Sequence, residues 1–240
     1  MGVGLALEDR LRDRSTDVFE QAVRDAVLEG PSGEAALAAV FGDLRKDRRL
    51  DVVVALGDAQ GTAGPGVLRA VLASADASRD MRCAAVSALA KRCGVHASAD
   101  LATALASRDP AVKQCAMLGL AYAGDDRAVD AAFARFRQLT RGSQTRYGFE
   151  APHLSVQSPT VVAVFYLARH LDGTGGVRTV RLVTALRDHW DRLPGRDRSW
   201  LAETWPDADP LGPEPSLVPP PDEDRLDHWI ARDPLFGPAH

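Results

Sequence analysis

The chain has 240 residues, a formal net charge of −4, 45% apolar residues and only 6% aromatic ones. Ala, Val and Leu supply the apolar mass, a balance that suits thin, closely spaced helices rather than a sheet-rich fold, in a chain long enough for a sizeable core. No run approaches the roughly 18 apolar residues that cross a bilayer, and residues 1–8 lack a basic leader, so no membrane partner is expected and a cytoplasmic location is.

Residues 1–16 are highly charged and read as a frayed leader or a short first helix. Asp17 then opens a helix with Glu20 three residues on, a capping-box arrangement, and Val18, Phe19, Ala22, Val23, Ala26 and Val27 form its apolar stripe. Gly30-Pro31 ends it, because Gly tolerates the conformation past a helix end and Pro cannot continue the helix. Helices are expected again at about 32–44 and 47–56, followed by a glycine-rich turn over 57–66. More follow at about 66–74, 78–92, 98–106, 109–123 and 125–139, joined by short polar turns.

Within this run one phrase is stated twice, 31 positions apart. Ser78 and Asp109 supply cap oxygens, Met81 and Val112 the first apolar anchor, Arg82 and Lys113 a base. Small residues stand at Ala85 and Ala116 and again at Ala88 and Gly119, before Leu89 and Leu120. Pro110 fits the first helical position, where its missing donor costs nothing. Ser158-Pro159 restarts the phrase, with Val161, Phe165 and Ala168 matching Val112, Ala116 and Gly119. Residues 140–157 thus interrupt one repeat between its two helices, and a further pair is expected at 176–192 and 196–205. A fixed period of this size is the mark of stacked helix pairs, none of which can bury its apolar face alone.

The phrase resembles the second helix of a HEAT repeat, especially the short bacterial kind found in PBS-lyase-like repeats. The resemblance covers about residues 33–205 and implies an all-α fold, a right-handed α-solenoid of about five to six helix pairs. Residues 1–205 would form the solenoid, with the insertion at 140–157. Residues 206–221, dense in proline, read as an extended linker. Residues 222–240 read as an acidic tail with a short amphipathic helix carrying Leu226, Trp229 and Ile230.

Charge is unevenly placed. Residues 1–126 carry 15 bases and 18 acids, residues 127–200 carry 12 arginines and 6 acids, and residues 201–240 carry 2 bases and 9 acids. A basic late segment is followed by an acidic tail, and the tail could dock on that segment within the same molecule.

In HEAT-like solenoids the second helices line the concave face, which makes Arg82 and Lys113 candidate contacts; the same pattern also fits bases that pair within the adjacent repeat. The insertion and its flanks offer Arg141, Arg146, Tyr147 and His153, where arginine interleaved with aromatics suits a hot spot or phosphate contact. Tyr166 and Arg169 complete the expected partner-binding set. His153, His170 and His189 lack metal-ligand spacing, and Cys83, Cys93 and Cys115 read as reduced core thiols. No metal or other cofactor is expected, and no catalytic motif is present. The expectation is a non-enzymatic scaffold or adaptor that binds a protein or peptide. The alternatives are a nucleic-acid binder using the arginines of 127–200 and an enzyme similar to HEAT-like alkylpurine DNA glycosylases. For the last, Trp190, Trp200 and Trp205 with Asp188 and Asp191 are the residues in question.

Overall fold

The computed structural model describes residues 6–141, 158–173 and 175–204. Among them every regular element is helical, so the fold is all-α. Residues 142–157, 206–221 and 222–240, to which the insertion, the linker and the acidic tail were assigned, lie outside the described residues.

The helices come in pairs: α1 (Leu7–Leu11) with α2 (Thr16–Leu28), α3 (Pro31–Val40) with α4 (Lys46–Asp58), and α5 (Gly64–Ala73) with α6 (Arg79–Cys93). Then follow α7 (Ser98–Ala104) with α8 (Pro110–Ala123), α9 (Val129–Arg141) with α10 (Pro159–Arg169), and α11 (Val177–Asp188) with α12 (Gly195–Thr204). The second members pack in sequence, α2 on α4, α4 on α6, α6 on α8 and α8 on α10, while α1 packs on α3 and α3 on α5. One hydrophobic strip runs the whole length, from Leu11 to Leu201.

Caps start the second helices where the repeated phrase placed them. The Ser78 hydroxyl accepts from the Met81 amide at 3.2 Å, Asp109 from Ala111 at 2.9 Å, and Ser158 from Val161 at 3.2 Å. Each satisfies an amide that would otherwise be orphaned in the first turn. In α4 the cap position is Arg45, whose side chain makes no such bond.

Small residues set the spacing of the row. A Cβ on Gly57 of α4 would lie 3.1 Å from both Cα and Cβ of Ala88 in α6, and one on Gly119 of α8 would lie 2.9 Å from the Ala90 Cβ. The helices meet at backbone distance there, which buries their stripes without large side chains. Met81, Val112 and Val161, the apolar anchors, are all at or below 7% exposure.

Polar ties join one pair to the next along both edges. Glu34, fully buried in α3, accepts from the Gly64 amide at 2.7 Å and from Arg92 Nη2 at 3.0 Å, and Arg92 also donates to the Gly61 carbonyl at 2.6 Å. Ser98 Oγ accepts from the Asp125 amide at 3.0 Å, and Arg127 reaches the Val95 carbonyl at 2.9 Å. On the other edge Arg69 pairs with Asp100 at 2.9 Å, Arg79 with Asp109 at 3.0 Å, and the Ser158 hydroxyl donates to Asp197 at 2.6 Å.

Of the two readings of residues 1–16, the short first helix is the one observed: residues 7–11 are helical with Leu11 buried. Other boundaries differ from the sequence reading, since α4 runs through Gly57 to Asp58 and α5 starts at Gly64, which narrows the glycine-rich turn expected over 57–66. Helix α2 starts at Thr16 with Ser15 as its cap, not at Asp17; Glu20 faces Arg24 at 3.9 Å rather than reaching back. Thr140 and Arg141 belong to α9 and not to the insertion. Leu139 and Thr140 continue its buried stripe, and the Thr140 hydroxyl donates back to the Phe136 and Arg137 carbonyls at 3.3 Å, a bond open to threonine inside a helix.

Candidate partner-binding site

A base occupies the fourth position of α4, α6 and α8: Arg49, Arg82 and Lys113. Their fates diverge. Arg49 turns to the end of its own pair, donating to the Leu44 carbonyl at 2.7 Å and the Gly42 carbonyl at 2.6 Å, with its guanidinium 5.7 Å from the Phe41 ring centre. Lys113 turns to the next pair, where Nζ donates to Gln138 Oε1 at 3.4 Å; burial, aided by the Arg135 charge, holds its ammonium below the ordinary lysine value.

Arg82 lies between these outcomes. It lines a cavity of about 410 Å³ bounded by Leu72 and Ala73 of α5, Thr103 and Ala104 of α7, and Val112 of α8. Arg69 and Asp100 also line this space but are joined to each other. The Arg82 Nε is buried and makes no hydrogen bond among the described residues. A guanidinium held at an apolar wall with an unsatisfied N–H favours an incoming acceptor, because leaving a buried donor unpaired costs about 1–3 kcal/mol.

The other expected contacts do not gather around it. Tyr166 is fully buried, and its hydroxyl donates to the Asp125 carbonyl; burial raises the phenol well above the usual tyrosine range. Its place in the core removes it from any surface that a macromolecule could reach. Arg169 donates to the Ala121 carbonyl at 2.9 Å, satisfying an acceptor in the last turn of α8. Arg82 and Lys113 therefore sit in first turns, and Tyr166 and Arg169 in the last turns of α10. Arg141 is exposed at the end of α9, while Arg146, Tyr147 and His153 lie outside the described residues.

Several arginines of the basic segment have partners, mostly through exposed ion pairs. Arg127 pairs with Asp125, Arg178 with Asp126 at 3.4 Å, and Arg181 with Asp130 at 3.0 Å, its guanidinium 3.8 Å from the Phe133 ring centre. Arg135 is 5% exposed, and Arg198 lies 3.8 Å from Asp191. Arg137, Arg141 and Arg192 remain exposed.

The histidines stay apart, and no group of three or more potential metal ligands occurs among the described residues. The His170 ring centre lies 4.7 Å from that of Tyr166, the two rings tilted by 57°, and burial first, then the Arg169 charge, lowers its imidazole below the ordinary value. Cys83 and Cys115, one repeat apart, meet across the α6–α8 contact, and the hydrogen bond from Cys115 pulls the Cys83 thiol down against its burial. The repeat period points close to that meeting, since 31 positions carry Cys83 onto Gln114, the neighbour of Cys115. Trp190 is half-buried, Asp188 and Asp191 are exposed, and the side chains of Trp200 and Trp205 are not described.

No family model matches the sequence, and no curated protein matches it. Among solved structures, the crystal structure of an engineered protein, a Northeast Structural Genomics Consortium target, is similar with a TM-score of 0.50 and 19% identity. The match covers 84% of this chain and 90% of that one, and at this identity the likeness concerns the fold alone. No described helix is long and apolar enough to cross a membrane.

Proposed function

We propose that the chain is a non-enzymatic scaffold built as a right-handed solenoid of HEAT-like helix pairs, which holds a protein or peptide partner in the cytoplasm. The groove at Arg82 is the observation that carries this reading. It combines apolar walls from three helices with one unsatisfied buried donor, the mixture by which a groove recognises a side chain and fixes its orientation. Stacking of similar pairs supports the solenoid, since each pair adds its own stretch of wall. The direct experiment is affinity capture from the native cell with nuclease present, using the full chain and Arg82→Glu. Retention of a defined protein by the native chain, and its loss with the variant, is the expected result. Equal capture by both would remove the groove from the reading.

The second reading is nucleic-acid binding through Arg137 and Arg141, which remain exposed beside residues 142–157. Phosphate contacts dominate such binding, so affinity would fall steeply with salt. Engagement of Arg127, Arg169, Arg178 and Arg181 within the fold leaves that surface with fewer open cations than the sequence count suggests.

A further inference from the structure

The first two helix pairs enclose a pocket of about 450 Å³ lined by Arg12, Arg14, Arg45 and Arg48, with Asp43 and Leu44 completing the wall. Four arginines and one aspartate line a common space; counting Glu8 and Asp47, which pair with Arg12 and Arg45, the formal excess is one positive charge. The four are not equivalent. Arg48 is only 7% exposed and has no carboxylate partner among the described residues; its two terminal nitrogens donate to the main-chain carbonyls of Asp13 and Arg14. The ring of Phe19 lies beneath it, 4.5 Å from the guanidinium. Carbonyls and a ring orient this cation, whose charge also acts on the Asp51 carboxyl one turn along α4. Its depth in the wall also lowers the local dielectric, so its field reaches into the pocket with less screening than that of an exposed residue.

Around this fixed charge stand three movable ones. Arg12 touches Asp43 and Glu8, both at 3.3 Å, and Arg45 touches Asp47 at 3.1 Å. These pairs are solvent-exposed, with side-chain exposures of 41–72%, and such pairs exchange readily for a better acceptor. Arg14 is exposed and has no ion pair among the described residues. Several arginines lining one pocket suit a tetrahedral oxyanion, whose oxygens can accept from more than one guanidinium at once.

We propose that this pocket binds a phosphate monoester dianion, either as a small molecule or carried on a partner. The site lies apart from the Arg82 groove and does not depend on the scaffold reading.

The test uses the full chain and reads Tm together with titration calorimetry. Inorganic phosphate should raise Tm above its value in chloride at the same ionic strength. Because the second proton of a phosphate monoester leaves near pH ~6 and that of inorganic phosphate about a unit higher, the shift over chloride at the same pH should grow from pH 5 to pH 8 while the arginines stay charged throughout. Arg14→Ala with Arg45→Ala should weaken binding by about tenfold or more, roughly one lost charge-assisted contact per arginine. Arg14→Lys with Arg45→Lys should retain part of it, and Arg108→Ala, an exposed arginine elsewhere, should change nothing. A phosphoserine peptide that binds more tightly than inorganic phosphate, and than its unphosphorylated form, would identify a partner-borne group; equal binding of the two phosphates would identify a small molecule. Identical Tm in phosphate and chloride, or a phosphate shift that survives the double alanine variant, would overturn the proposal. So would an oligonucleotide that binds more tightly than either phosphate at matched salt.

Discussion

Residues 127–200 hold the densest run of arginine in the chain, yet Arg169 there donates to the Ala121 carbonyl, and Arg178 and Arg181 are paired at the surface with Asp126 and Asp130. Arg12, Arg14 and Arg45 come from residues 1–126, where acids outnumber bases by 18 to 15, and they line an open pocket around Arg48. Charge counted along a repeat chain is thus a poor guide to charge presented to solvent. In stacked pairs an arginine's acceptor is commonly one repeat away, so a run that looks strongly basic can carry much of its charge in pairs. Of the acids that depress the count near the N-terminus, Asp43, Glu8 and Asp47 pair with arginines of the pocket, but Arg14 and Arg48 have no ion pair among the described residues.

That contrast can be broken most forcefully where an arginine faces a fully buried acid. Arg92→Met leaves Glu34 without its cation, and removing one partner of a buried pair costs about 3 kcal/mol or more; a urea unfolding curve reads the loss, and an unchanged midpoint would deny that such ties hold the pairs together. Arg169→Met should cost about 1–2 kcal/mol by orphaning the Ala121 carbonyl, with capture of a nucleic-acid probe unaffected. If instead stability held and nucleic-acid affinity fell, the late arginines would be surface groups after all.

A smaller effect lies in pH. His170 has a lowered value in the folded state because of burial and then Arg169, whereas in the unfolded chain it titrates near ~6.5. The unfolded chain takes up the proton first, so stability present above about pH 6.5 is lost as pH falls through the folded value. Comparing unfolding midpoints at pH 7.5 and pH 5 should show this decline, and His170→Gln should flatten it. Smallest of all, Arg14→Ala should leave the unfolding midpoint where it is, because its exposed side chain has no ion pair among the described residues. A clear loss would make Arg14 a structural tie like its late counterparts.

Much of the fold could be read from local chemistry. Ser78, Asp109 and Ser158 cap because a short polar side chain before an apolar phrase has few other uses, and Gly119 falls where two helices touch because nothing larger fits. The site was less readable. Tyr166 falls on Met117 in the repeat phrase, a buried apolar position, so its burial is legible there; its hydroxyl's acceptor, the Asp125 carbonyl 41 positions away, is a partner that no window on the sequence includes. Arg82 and Lys113 look alike in the repeat, and only Gln138 on the neighbouring helix separates a satisfied base from an unsatisfied one. The N-terminal pocket depends on joining Arg12 and Arg14 to Arg45 and Arg48 across the first two pairs, a contact with no local signature.

Glu34 has a consequence for the order in which the chain assembles. Its carboxylate ends fully buried, with Gly64 thirty positions downstream and Arg92 fifty-eight positions downstream as its partners. While the chain emerges from the ribosome at about 5–20 residues per second, the carboxylate has neither partner for several seconds and must keep its hydration, since an unpaired buried charge is prohibitive. Helix α3 can therefore form early but cannot seal its inner face until α6 arrives. The first three pairs would close together rather than one by one, and the N-terminal part of the chain waits on the middle before it becomes a finished wall.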